Sequence, residues 1–394
     1  MEDNYQLITK TAAGLEEVLA AEIKALGAKN VRVLHRAVLC EGNKELMYRI
    51  NYTVRTALKV LKPFKTFFAR NEDELYQKVQ EINWIELIRT DQTFCIDAVT
   101  SGRFFRHSQY ASLKTKDAIV DQFREVCGLR PSINTLNPDL RINLHIREDK
   151  VQILFDSSGE SLHHRGYRKQ VDKAPMHEVL AAGLIQLSGW KADCNFLDCM
   201  CGSGTLPIEA AMFAMNIPAG YYRKQWGFMK WDDYDAALWQ SIKEEADSQI
   251  REFDHEIWAS DRSPKAVAIA ESNFIHAHLQ HDIHLMKKNM EDLTPPEGGG
   301  IVIINPPYGD RLEEDDIDSV YENIGHTLKH NFQGFKCWLI TDDAVALKHV
   351  GLKPSEKIPI WNGPLECRFV CFDIFEGSLK DKKARENAAP NEEE

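Results

Sequence analysis

Four β-branched residues, Ile301-Val302-Ile303-Ile304, run directly into Asn305-Pro306-Pro307-Tyr308-Gly309. A buried strand that stops on an amide, two prolines and an aromatic ring is either a Pro-rich turn, as in any open α/β sheet, or a site that grips an amine. An amine attached to a nucleobase is a poor nucleophile, because its lone pair is delocalised into the ring. The amide oxygen of Asn305 and the carbonyl of Pro306 offer two acceptors for its N–H groups. Accepting from both would draw the nitrogen towards tetrahedral geometry and free the lone pair. The proline rings restrict the backbone, so the acceptors are held in place before a substrate arrives. Tyr308 adds a face for a base taken out of its stack, which offsets an unstacking cost of a few kcal/mol. Asn305, Pro306, Pro307 and Tyr308 are the candidate catalytic residues on this reading, and no separate general base is required.

Three further segments end on polar or Gly-rich tips. The first is Asp198-Cys199-Met200-Cys201-Gly202-Ser203-Gly204-Thr205. Its two glycines let the backbone pass close to a ligand at a strand-to-helix turn. A dinucleotide fingerprint wants a third glycine three residues after the second, and Pro207 stands there. No GxxxxGK[ST] loop occurs either, so neither nicotinamide dinucleotides nor ATP fit. The second tip is Asp261, an acid placed to accept from both hydroxyls of a ribose. An N-cap is the competing reading, since Ser263-Pro264 open the helical stretch that follows. The third is Asn289-Met290, a polar residue and a flat flexible apolar one, suited to the edge and face of an adenine.

These tips need a scaffold. "CNFLDCMCGSGT", "EIWASD", "IHLMKKN" and "GIVIINPPYG" are apolar strands, with helical segments after the first and the second. "KCWLITD", "KIPIW" and "RFVCFDIF" are later strands. Strands alternating with helices predict a parallel, doubly wound Rossmann-like sheet, whose ligands sit outside the carboxyl ends of the strands. The first half is different: a small α+β region. It has a helix in "AGLEEVLAAEIKALG" ending at Gly27, a strand in "VRVLHRAVLCEG", a second amphipathic helix over "NKELMYRINYTVRTALKVL", a strand in "TFCIDAV" and a helix in "LKTKDAIVDQFREVC". "LRINLHIREDKVQILFDSSG" reads as a hairpin turning at Glu148-Asp149-Lys150. The segment "GYYRKQWGFMKWDDYDAALW" interrupts the second half. Its Tyr221, Tyr222, Arg223, Lys224, Trp226 and Trp231 either wall a base pocket or pack as ordinary aromatics.

A chain of 394 residues exceeds one ordinary core. The expected division is an α+β region over 1–165, a doubly wound domain over 166–379 and a disordered tail over 380–394, where "KDKKARENAAPNEEE" has no apolar face. Hydrophobic content of 43% with 27% charged residues describes a globular chain. No apolar run is long enough to span a bilayer, and the start lacks the basic-then-apolar pattern of a signal peptide. Cytoplasmic residence is expected. Nine cysteines, none in a CxxC pair and without a His/Cys cluster beside Cys199 and Cys201, indicate free thiols and no metal. The net charge of −12 argues against a polyanion partner only globally. Ala98 to Lys116 carries Arg103, Arg106, Lys114 and Lys116 with no acid, interleaved with Phe104, Phe105 and Tyr110. A second stretch holds Arg55, Lys59, Lys62, Lys65 and Arg70. Such runs follow a phosphate backbone while aromatics stack on bases, or they form a solvated face with the aromatics turned inwards.

The tips together resemble class I S-adenosylmethionine-dependent methyltransferases that act on amines. Over about residues 1 to 375 the chain is similar to the THUMP-domain methyltransferase family that makes N2-methylguanine in large-subunit (23S) ribosomal RNA. The most specific pieces are "RHSQYASLKTKDAIVDQF", "HRGYRKQVDKAPMHEVLAA", "LDCMCGSGTLPIEAA", "NPPYGDRL" and "NGPLECRF". One departure is Cys199, where the family commonly has proline. The resemblance implies a ferredoxin-like and THUMP RNA-binding region followed by the catalytic sheet, S-adenosylmethionine as cofactor, and RNA, as large-subunit ribosomal RNA or its precursor particle, as partner. It implies cofactor contacts from Asp198, Gly202, Gly204, Asp261 and Asn289, beside which Met290 is the apolar candidate of the same tip, and catalysis by Asn305, Pro306, Pro307 and Tyr308; with it, Arg103, Arg106, Lys114 and Lys116 of the basic run are the expected RNA contacts. Adenine-N6 methylation of DNA or RNA, guanine-N2 methylation of tRNA, and a non-catalytic RNA-binding assembly factor are the alternatives. A cysteine nucleophile at Cys199 or Cys201 would leave the Asn305 tip unexplained.

Overall fold

The structure is a computed structural model that describes residues 4–170, 176–306 and 314–375. Pro307, Tyr308 and the tail expected at 380–394 lie outside the described residues. The chain forms two compact units that interleave in sequence. Described residues 4–11, 19–164 and 218–248 belong to the first, and 12–18, 165–217 and 249–375 to the second.

The first unit is built on an eight-stranded sheet. Its strands are β1 (Tyr5–Lys10), β2 (Lys29–Leu34), β3 (Ala37–Gly42), β4 (Lys59–Phe68), β5 (Thr93–Ser101), β6 (Ser132–Ile133), β7 (Leu140–Arg147) and β8 (Lys150–Asp156), in the order β2-β3-β1-β4-β8-β7-β5-β6. Helices α1 (Glu16–Ala25) and α2 (Lys44–Thr53) pack on one half, and α3 (Glu72–Gln80) and α4 (Ser108–Cys127) on the other. Gly128, in the left-handed region at φ 67°, ends α4. The hairpin expected at Glu148-Asp149-Lys150 is present between β7 and β8.

Two expectations need correction. The single strand read in "VRVLHRAVLCEG" is a hairpin: Arg36 takes a positive φ of 55° and turns β2 back onto β3. The long second helix stops at Thr53, a short loop follows, and the segment's last residues, from Lys59, enter β4. Val54 leaves the helix in an extended conformation, and Pro63, which cannot sit in an unbroken ladder, lies at a register shift against β8.

Residues 218–248, which include α7 (Ala236–Asp247), supply core to this unit. Trp226, Phe228 and Trp239 are buried with Tyr48 and Tyr52 of α2, and Phe228 stacks on Tyr48 with ring centroids 4.2 Å apart. The guanidinium of Arg223 donates to the carbonyl oxygens of Ser158, Glu160, Ser161 and His164. Trp226 and Arg223 thus pack and satisfy backbone acceptors within this unit, while Tyr221 and Lys224 are exposed.

The second unit has a seven-stranded sheet in the order β11-β10-β9-β12-β13-β15-β14. Its strands are β9 (Asn195–Asp198), β10 (Ile257–Asp261), β11 (Ile283–Lys287), β12 (Gly300–Ile304), β13 (Phe335–Thr341), β14 (Glu356–Asn362) and β15 (Leu365–Asp373). The first five run parallel, while β15 is antiparallel to both β13 and β14. The sheet expected to be parallel is therefore closed at one edge by an antiparallel hairpin. Helices α5 (Glu178–Leu187), α6 (Thr205–Ala214), α8 (Pro264–His276), α9 (Glu314–Asn331) and α10 (Ala346–His349) complete it. The strand order reverses between β9 and β12, and a crevice opens at such a switch point, beyond the carboxyl ends of the strands.

Candidate active site

The fold gathers the glycine loop, Asp261 and Asn305 at adjacent strand ends, because β9 lies between β10 and β12. β9 ends on Asp198, which is 2% exposed. Its Oδ1 accepts from the N–H of Met200 at 3.1 Å. Burial pushes this carboxyl up to about 8, with the nearby Asp261 adding to the rise and the Met200 N–H opposing it. A buried acid of this kind holds its proton near neutral pH until a cation arrives to compensate the charge.

The two glycines after it do different things. Gly204 sits at φ 80° as the residue preceding α6, and a Cβ there would come within 2.4 Å of the Phe274 ring on α8. Gly202, also at positive φ, has no heavy atom within 4 Å of where a Cβ would stand. One glycine lets the helix pack, and the other leaves an open cradle beside the backbone. Asp261 stands at the end of β10, where Oδ2 accepts from the N–H of Gly202 at 3.0 Å and Oδ1 from the N–H of Ser263 at 2.8 Å. The cap of α8 is Ser263, whose side chain accepts from Ala266, with Pro264 in the first turn. Asp261 is therefore not the cap. It ties the glycine loop to β10 and keeps lone pairs for further donors.

An open cradle, a buried acid short of a positive partner and a half-buried acid beside it fit the zwitterionic, cationic and hydroxyl-bearing parts of S-adenosylmethionine. Asn289 is exposed beyond β11 and donates to Asp292 Oδ2 at 3.0 Å. Met290 is 4% exposed and packs with Leu197, Cys199 and Val302.

Asn305 follows β12 directly. Its Oδ1 is buried and has no hydrogen-bond partner among the described residues. Leaving a buried acceptor unpaired costs about 1–3 kcal/mol, so the position is held against stability. Pro306 beside it is buried. No group of three His, Cys, Asp or Glu side chains able to hold a metal occurs among the described residues. All nine cysteines are free. Burial pushes the thiols of Cys199 and Cys201 well up, the opposite of what an activated thiolate needs.

The sequence reading assigned no role to the residues that brace the glycine loop. Arg168 donates to Thr205 Oγ1 at 2.8 Å, to Ser203 Oγ at 3.4 Å, to the Met176 carbonyl at 3.1 Å and to Glu178 Oε1 at 2.8 Å. Asn273 of α8 donates to the Ser203 carbonyl at 3.0 Å and accepts from the N–H groups of Lys169 and Gln170. The signal was present in "HRGYRKQVDKAP", where two arginines flank a tyrosine.

In the first unit, Arg103 and Arg106 are exposed in the loop between β5 and α4, and Lys114 and Lys116 lie on α4. The run has no acid of its own, yet the fold brings Glu148 beside Arg103 at 3.8 Å and Asp73 beside Lys114 at 3.4 Å, and Asp117, next in sequence, pairs with Lys116 at 2.5 Å. Phe105 is buried in the core, while Tyr110 is exposed. In the second stretch, Arg55 is buried and Lys59 is paired with the fully buried Asp156 at 2.6 Å. No helix among the described residues is long and apolar enough to cross a membrane.

Three family models match consecutive parts of the chain: an RlmL ferredoxin-like domain over 6–61, a THUMP domain over 69–156 and an RMKL-like methyltransferase domain over 165–370. A Synechocystis sp. protein bearing an RNA methyltransferase name is 35% identical over 366 residues, 92% of this chain and 95% of that protein. The ribosomal RNA large subunit methyltransferase K/L of Syntrophotalea carbinolica is 38% identical over 376 residues, covering 92% of this chain and 53% of that protein, so the chain spans about half its length. Among solved structures, SMU.472, described as a methyltransferase and complexed with SAH, superposes with a TM-score of 0.85 at 28% identity over 96% of this chain and all of that one. The chain belongs to the RMKL-like family of S-adenosylmethionine-dependent methyltransferases.

Proposed function

We propose that this chain is a cytoplasmic RNA methyltransferase that methylates the exocyclic N2 amine of a guanine in large-subunit ribosomal RNA. The observation that carries the reading is the buried Oδ1 of Asn305, without a partner among the described residues, at the end of the strand next to the glycine loop. An acceptor kept out of water with nothing to accept is preorganised for a donor that arrives with the substrate. The THUMP match, the exposed Arg103 and Arg106, and the names of the two relatives support RNA as the carrier of that donor.

The cofactor supplies a methyl group on a sulfonium, a leaving group that needs no protonation. Asp198, Gly202, Gly204 and Asp261 would hold it, with Asn289 and Met290 at the adenine end. The protein's remaining task is to present the amine. Asn305 Oδ1 accepts one N–H, the Pro306 carbonyl the other, and Tyr308 stacks on the base. The nitrogen's lone pair is then directed at the methyl group, and the amine proton it loses passes to water. The first unit supplies phosphate contacts, with Arg103, Arg106, Lys114 and Lys116 as the proposed set.

The test uses the full-length protein, cofactor labelled in its methyl group, and total RNA from cells lacking the protein. Asn305→Ala should lower label transfer by on the order of a hundredfold or more, with cofactor affinity by calorimetry unchanged. Full activity in Asn305→Ala would remove Asn305 from the site.

A further inference from the structure

One side chain at this end of the sheet is neither structural nor part of the site described so far. Thr341 ends β13, the strand beside β12, and Asp342-Asp343 follow it. Thr341 bonds to the Tyr321 hydroxyl at 2.6 Å and accepts from the Asp343 N–H. Asp343 accepts from the N–H groups of Val345 and Ala346 and so turns the chain into α10. Asp342 caps nothing. Its Oδ1 is buried and, like Asn305 Oδ1, has no hydrogen-bond partner among the described residues.

Carried one residue past the end of each strand, the pleat sets these two residues towards the same side. Val302, Ile304, Cys337 and Leu339 pack together on the face covered by Tyr321, Ile324 and Leu328 of α9. Alternation therefore turns Ile303 and Asn305, and likewise Trp338, Ile340 and Asp342, to the opposite face. Ile304 pairs with Leu339, so continuing the register by one pleat sets Asp342 one strand across from Asn305 and two residues further along. With strands about 4.8 Å apart and a rise of about 3.3 Å per residue, the two Cα atoms are separated by roughly 8 Å. That is a span over which two side chains can meet one edge of a planar base.

We propose that Asp342 accepts the N1–H of the target guanine while Asn305 holds its N2 amine, making Asp342 the residue that selects guanine over adenine. The inference rests on the guanine reading above. Guanine presents N1–H and the N2 amine as adjacent donors on its Watson–Crick edge. Adenine presents its amine beside an N1 lone pair, which a carboxylate oxygen repels. The Asn305 tip serves either amine; an acidic acceptor one strand away serves guanine only. A charge-assisted bond at N1–H also returns electron density to the ring, opposing the delocalisation that makes N2 a poor nucleophile.

The test uses full-length protein and a synthetic RNA carrying the mapped target as guanine or as 2-aminopurine. The analogue keeps the 2-amine but has an acceptor at N1 and lacks O6. Wild type should methylate guanine well ahead of 2-aminopurine. Asp342→Asn and Asp342→Ala should each lower kcat/KM on guanine by about tenfold to a hundredfold, the worth of a hydrogen bond to a charged group. They should also shrink the guanine preference, and that shrinkage separates the N1 contact from the loss of O6. Cofactor affinity by calorimetry should stay within about twofold. A folded Asp342→Asn that keeps both rate and preference overturns this proposal and leaves guanine-N2 methylation standing. A wild-type enzyme that yields only N6-methyladenosine overturns both.

Discussion

Three cations of the first unit and three strand-end groups of the second contrast in how far the fold satisfies them. In the first, prominent cations are neutralised by the fold. Lys59 holds the buried Asp156 at 2.6 Å, Arg141 meets Asp97 at 2.9 Å, and Arg223 serves four carbonyl oxygens. In the second, the ends of β9, β12 and β13 carry groups left wanting among the described residues: Asp198 buried without a cation, and Asn305 and Asp342 each with a buried oxygen and no donor. A paired buried charge is architecture. An unpaired buried acceptor costs stability and persists where a ligand completes it. Charge content alone misleads here, since the cation-rich stretch from Arg55 to Arg70 is partly internal, while the tip proposed to be catalytic bears no charge.

The largest effect should come from dividing the first unit. Residues 1–165 alone lack Trp226, Phe228 and Trp239. Truncating each such side chain costs about 3–5 kcal/mol, and a whole domain is stable by about 5–15 kcal/mol. This fragment should show no cooperative thermal transition by circular dichroism. A sharp transition would mean that residues 218–248 only decorate the core. Lys59→Ala should follow, at about 3–5 kcal/mol, because it strands the buried Asp156. Burial pushes that carboxyl up against the pull of Lys59. A melting temperature within a degree of wild type would show the pair to be ornamental.

Asp198 gives a pH signature in the second unit. Its folded value of about 8 lies above the ordinary 3.8, so the folded protein holds the proton more tightly than the unfolded chain. The stability this group contributes is full below about pH 4 and is lost as pH rises towards 8. The proposed contact between Asp198 and the cofactor's cationic end favours the ionised acid. Affinity should therefore strengthen with pH by up to about tenfold per unit below 8 and level off above it, with protons released on binding. Asp198→Asn should flatten that dependence in calorimetry across several buffers. A wild-type profile already flat between pH 6 and 8 would exclude a cation contact. The smallest effect belongs to the first unit's surface. Arg103→Ala with Arg106→Ala should weaken RNA binding a few-fold and lower the salt slope by about 1–2, leaving cofactor affinity unchanged. Equal salt slopes in wild type and variant would move the RNA surface elsewhere.

Much of the second unit is legible because its strands are short apolar runs whose ends are chemically marked. Asp198, Gly202, Asp261 and Asn305 all stand where alternation and turn chemistry put them. What escaped depends on pairing between distant parts of the chain. Nothing local in "TFFARNEDELYQ" shows that Asp73 will face Lys114, and nothing in "GYYRKQWGFMKW" shows that Trp226 will pack on α2 rather than near the sheet it interrupts. Asp342 was passed over for a related reason. Adjacent aspartates after a strand read as turn formers, and Asp343 is one. Only the register with β12 separates the acid that caps a helix from the acid that caps nothing.

The central claim is that an acceptor-lined tip presents a guanine amine for methylation. Mass spectrometry of nucleosides from RNA incubated with the wild-type protein and S-adenosylmethionine tests it most directly. The expected result is N2-methylguanosine, absent from the Asn305→Ala reaction. N6-methyladenosine as the sole product, or N2-methylguanosine formed equally by the variant, would contradict it.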